Sequence, residues 1–157
     1  MDTGDMLLQS SITITEDDTT GTMFAVLSDD RNTGALAQMD LKTGLFTVVG
    51  DTGYEMVALA CDNGGILYAV DAAGNMYQLN KDTAEATYRS STNMSGSMYQ
   101  SMHYDYNNDT IYWARTNGFG SKLMRLDRET GYAVSLGTID AASGEQKGVG
   151  IEVTSLF

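Results

Sequence analysis

The residues able to do chemistry are few in kind and scattered along the chain. His103 is the sole histidine and Cys61 the sole cysteine. A nucleophilic triad needs a histidine beside a positioned nucleophile and an acid. His103 stands in Ser101-Met102-His103-Tyr104-Asp105, a strand-like run, and reads as a partly buried structural side chain. Cys61 has no Lys or His near it in sequence to stabilise a thiolate, so it reads as a small buried hydrophobe. One His and one Cys assemble no ordinary zinc site. Carboxylates are plentiful, as in Glu16-Asp17-Asp18, Asp29-Asp30 and the Asp105/Asp109 pair. None falls at an EF-hand spacing, so they read as turn residues and solvated charge. Nothing marks two of the 21 acids as a glycosidase pair. Asn117-Gly118-Phe119-Gly120 lacks the Lys-Ser/Thr and helix of a phosphate loop. The sequence therefore assigns no catalytic residue, no metal and no cofactor.

What would position any site is a repeat. Met39-Asp40-Leu41-Lys42-Thr43-Gly44 returns as Leu79-Asn80-Lys81-Asp82-Thr83-Ala84 and as Leu126-Asp127-Arg128-Glu129-Thr130-Gly131, at spacings of 40 and 47. Met23-Phe24-Ala25-Val26 returns as Leu67-Tyr68-Ala69-Val70 and Ile111-Tyr112-Trp113-Ala114, at spacings of 44 and 44. A third column sets a small residue before an apolar one: Thr13-Ile14, Ala58-Leu59, Ser101-Met102 and Gly150-Ile151. Three columns with one period point to a repeat architecture.

Each repeat reads as four short strands. In the middle one they are Val57 to Cys61, Ile66 to Val70, Asn75 to Leu79 and Glu85 to Ser90. The runs are rich in Val, Ile, Tyr, Leu and Thr, and turn residues such as Asp62-Asn63-Gly64-Gly65 separate them. No segment carries a capped 3.6-residue apolar period, so essentially no helix is expected. The expectation is an all-β, β-propeller-like array of four-stranded antiparallel blades. A single blade cannot bury both faces, and stacking neighbours solves this. The small column lets innermost strands approach, and Phe24, Tyr68 and Tyr112 fill the widening gap between blades. The ten methionines read as gap-fillers between imperfect repeats. A β-sandwich is the competing architecture.

The aromatic strand Leu67-Tyr68-Ala69-Val70-Asp71, the Asp-x-x-Thr-Gly turn phrase and the closing Val49-Gly50 resemble bacterial β-propeller repeats of the YVTN/quinoprotein-like type. The resemblance covers nearly the whole chain, and its motifs specify architecture. It implies a secreted or cell-surface bacterial protein and carries no catalytic residue with it. Trp113 is followed by Ala114, so the Trp-Asp dipeptide of WD40 repeats is missing.

Composition excludes several partners. Twenty-one acidic against nine basic residues give a net charge of −12, which argues against nucleic acid and anionic membrane surfaces. The longest apolar run, Met56 to Cys61, is far too short to span a bilayer. One cysteine permits no intrachain disulfide, which suits the cytoplasm and equally suits exported proteins that make little use of disulfides. The N-terminus shows no secretory signal pattern.

Binding is expected on the segments joining the fourth strand of one blade to the first of the next, because loops of varying length on a constant scaffold carry recognition. Their candidate residues are Tyr54, Glu55, Asn93, Tyr99, Gln100, Glu145, Gln146 and Lys147. Tyr with Asn, Gln and Glu suits a carbohydrate or protein ligand. The primary reading is a non-catalytic binding or scaffolding module. A propeller hydrolase or lyase acting on polysaccharide, and a self-assembling structural segment, are the alternatives. The period divides the chain into approximate repeats 11–55, 56–98 and 99–148, with a partial one at 149–157. That is about three complete blades plus an extra strand, Val149 to Val153. Its open edges call for further blades or a homo-oligomer.

Overall fold

The computed structural model describes residues 12–28, 34–96, 100–117 and 120–139. These residues form twelve strands and no helix. The first blade holds β1 (Ile12–Asp17), β2 (Thr22–Ser28), β3 (Gly34–Met39) and β4 (Phe46–Asp51). The second holds β5 (Met56–Cys61), β6 (Leu67–Asp71), β7 (Asn75–Leu79) and β8 (Ala86–Ser91). The third holds β9 (Ser101–Asp105), β10 (Thr110–Thr116), β11 (Ser121–Leu126) and β12 (Ala133–Ile139). Each blade is a separate four-stranded sheet with its strands in sequential antiparallel order. The all-β expectation holds. The strand proposed at Val149 to Val153 lies outside the described residues.

The blades repeat in register as well as in order. Between third and fourth strands the pairing shifts at Leu36/Ala37, at Met76/Tyr77 and at Leu123/Met124. These are one column of the repeat. A bulge adds twist to the outer strand, so each blade turns at the same point.

Burial follows from stacking. β5 and β6 are buried along their whole length, because both faces of the middle blade are covered. Their apolar runs are accordingly unbroken. β9 alternates between buried and half-buried residues, as a strand with one covered face does. Phe24, Val26 and Leu36 of the first blade pack on Leu59, Leu67 and Tyr77 of the second. Ala58, Ala60 and Tyr68 of the second pack on Met102, Tyr104 and Trp113 of the third. Thus small residues of one inner strand receive large ones from the next blade. The outer strands β4, β8 and β12 are mostly exposed or half-buried.

Candidate functional site

At one end of the array lie the loops joining fourth to first strands, beside the turns between second and third strands. The first two of these loops share one construction. The buried Thr52 hydroxyl donates to the Gly34 carbonyl at 2.7 Å, and Thr92 donates to Gly74 at the same distance. The following residue takes a left-handed backbone, Gly53 at φ 77° and Asn93 at φ 56°. Asn tolerates that conformation better than most side chains, so the turn itself accounts for Asn93.

Tyr54 follows that turn and is 42% exposed. Its ring lies 4.5 Å, centroid to centroid, from Tyr77, which in turn meets Tyr88 edge-on at 5.9 Å. Tyr77 and Tyr88 are directly opposed across β7 and β8. Tyr88 is 58% exposed, whereas Tyr77 is buried and donates its hydroxyl to Asp71 Oδ2 at 3.1 Å. Burial first, and then the Asp71 carboxylate, push the Tyr77 pKa up, so this hydroxyl remains a donor. Asp71 also accepts the Asn75 backbone N–H and side-chain amide, which fixes its orientation. The result is a three-tyrosine surface anchored at its centre. Glu55 is half-buried beside it, and its carbonyl accepts the Ala72 N–H at 2.9 Å.

Gln100 is placed differently from the sequence expectation. It is buried, accepts the Trp113 indole N–H at 2.6 Å and donates to the Thr116 carbonyl at 2.9 Å. Its amide is engaged by the fold of the third blade, because a buried indole N–H needs an acceptor. Tyr99, Glu145, Gln146 and Lys147 lie outside the described residues. Sequence reasoning missed Tyr77 and Tyr88. The available signal was two tyrosines flanking one hairpin, which its register places opposite each other; the approach of Tyr54 is a tertiary contact that the sequence does not announce.

The opposite end carries the turns between first and second and between third and fourth strands. Here each blade is locked to the next by an ion pair. Lys81 Nζ of the second blade meets the buried Asp17 of the first at 2.6 Å. Arg128 Nη1 of the third blade meets the buried Asp62 of the second at 2.6 Å. Each Asp also organises its own turn. Asp17 accepts the Thr19 N–H, and Asp62 accepts those of Gly64 and Ile66. Burial raises the Asp17 pKa, but Lys81 and Thr19 outweigh it and the value falls to about 2. Arg128 extends further to Asp109, which accepts the Tyr104 hydroxyl at 2.6 Å.

His103 and Cys61 stay near their sequence readings. His103 is half-buried, and that burial lowers its pKa against the pull of Asp105. Cys61 is buried in the first inter-blade core, and its thiol is pushed up to about 12, chiefly by burial and then by Asp17. Among the described residues no group of three or more His, Cys, Asp or Glu is placed to hold a metal ion. No helix among them is long and apolar enough to cross a membrane.

No family model matches the chain, and no curated protein sequence matches it. Solved structures do. A Bacteroides thetaiotaomicron structural genomics protein of unknown function superposes with a TM-score of 0.62 at 19% identity, over 78% of this chain and 32% of that one. A chain of the nidogen/laminin complex gives 0.62 at 13% identity, over 81% and 48%. An auxiliary nutrient binding protein from Bacteroides thetaiotaomicron gives 0.56 at 14% identity, over 88% and 34%. The chain thus spans a third to a half of the structures it resembles. The likeness shows a β-propeller-like fold.

Proposed function

We propose that the chain is a non-catalytic binding module of the YVTN-like type, belonging to an exported or cell-surface bacterial protein. It recognises a glycan or protein through the end that carries the fourth-to-first strand loops. One observation carries the reading: exposed Tyr54 and Tyr88 flank a buried Tyr77 that Asp71 holds in place. Tyrosine offers large contact area with few rotatable bonds, so a pre-ordered set binds at little entropic cost. Pyranose faces and peptide side chains both pack on such rings. The nidogen/laminin and nutrient-binding neighbours support a binding role for the fold, and their ligands remain their own.

The test is a glycan array, followed by titration calorimetry with the strongest-binding oligosaccharide. Tyr54→Ala and Tyr88→Ala should each weaken that binding about tenfold, the loss expected for one removed aromatic anchor. Asn93→Gly should leave it close to wild type, since Asn93 serves the turn. Unchanged affinity in both tyrosine variants would refute the site.

A further inference from the structure

We infer that the outer face of the third blade is an interface for one further four-stranded blade. That blade must be unlike the first blade of this chain, and it must carry a Lys or Arg in the turn between its third and fourth strands. The inference rests on a periodic charge pairing that is independent of the ligand reading. In both inter-blade junctions, the cation is the second residue of the third-to-fourth strand turn, following Asn80 or Asp127. In both, it reaches the Asp that closes the first strand of the preceding blade. The sequence separations are 64 and 66.

Asp105 is the third member of that Asp column. It pairs across its hairpin with Thr110, as Asp17 pairs with Thr22. It accepts the Asn107 N–H at 2.9 Å, repeating the turn role of Asp17 and Asp62. Among the described residues no Lys or Arg reaches it; its Oδ2, the oxygen that takes the cation in Asp17 and Asp62, accepts the Asn108 side-chain amide at 2.5 Å instead. Beside it, on the same face, opens a cavity of about 610 Å³ lined by Asp109, Thr110, Tyr112, Arg125, Asp127 and Val134. Tyr112 occupies the column of Phe24 and Tyr68, both buried by a following blade. Tyr112 is only half-buried. The cavity is thus lined by Tyr112, whose counterpart Tyr68 packs with Tyr104 at the preceding junction.

A second copy of the chain does not complete this junction. It would present its first blade, where the position of Lys81 and Arg128 is held by Leu41, 65% exposed. A leucine would meet an Asp turn and leave its charge without a counterpart. The net charge of −12 adds repulsion between copies. Charge complementarity thus selects a blade of different sequence.

Sedimentation equilibrium of the full 157-residue chain tests this. Wild type should remain monomeric to about 100 μM, the concentration equivalent to a weak association of about 5.5 kcal/mol. Leu41→Arg supplies the missing cation on an exposed turn, where the fold tolerates it. It should tighten head-to-tail association at least about tenfold, and Asp105→Asn in the same chain should abolish the gain. Wild-type chains that associate through a contact weakened by Asp105→Asn would overturn the proposal, because a second copy would then suffice. A folded Leu41→Arg chain that associates no better than wild type would also overturn it.

Discussion

Replacing Asp17 by Asn isolates what the inter-blade ion pair contributes. Asn keeps an acceptor for the Thr19 N–H but loses the charge facing Lys81 at 2.6 Å. The Asp17 side chain is 1% exposed and that of Lys81 32%, so solvent reaches the pair only from the lysine side. Its carboxyl titrates at about 2 in the folded chain against an ordinary 3.8. At about 1.4 kcal/mol per pKa unit, that depression corresponds to about 2 kcal/mol of stability at neutral pH. The folded-state value lies below the unfolded one. The contribution is therefore whole above about pH 5 and is lost as pH falls through about 2. Urea unfolding at pH 7 should place Asp17→Asn about 1 M below wild type, taking a slope of about 2 kcal/mol per molar. The two curves should converge as the pH approaches 2. Because Thr19 shares in the depression, a double-mutant cycle with Lys81→Met should return a favourable coupling of about 0.5–3 kcal/mol, the range of contacting pairs. The exposed Asp40, whose pKa is lowered first by the Lys42 backbone N–H, should respond far less to the same change. An Asp17→Asn curve that matches wild type at pH 7, or one displaced equally at all pH values, would refute the reasoning.

Three further outcomes follow from the same packing. Gln100→Ala should cost about 2 kcal/mol, because a buried indole N–H loses its acceptor; the emission of Trp113, the sole tryptophan, reports the transition. Cys61, with its thiol pushed up to about 12, should resist a disulfide reagent at pH 8 until urea unfolds the chain; a fast native reaction would contradict its burial. Gly74→Ala should destabilise by about 3 kcal/mol, since φ is +89° and an added Cβ would overlap the Met94 carbonyl. Gly44→Ala, at φ +71° in open space, should cost only about 1 kcal/mol, both variants being read by urea unfolding.

The sequence by itself determined, among the described residues, the sequential order of the strands and the approximate limits of those in the middle blade. Their apolar runs alternate with Asp, Asn and Gly turns, and both signals are local. It also determined the period, since each column is a residue type repeated along the chain. The unbroken run from Met56 to Cys61, read in the sequence only as too short to span a bilayer, is a strand buried along its whole length. Tertiary structure decided everything that depends on which blade faces which. Gln100 looks like a loop amide in sequence and becomes an acceptor for Trp113 only when β9 and β10 pair. The tyrosine surface depends on the pairing that opposes Tyr77 to Tyr88 and on the loop that brings Tyr54 onto Tyr77. Lys81 and Arg128 read as ordinary turn charges until stacking carries them onto Asp17 and Asp62. The physical reason is distance along the chain. Turn chemistry and strand propensity act over a few residues, whereas these ion pairs join residues more than sixty apart and exist only once blades stack.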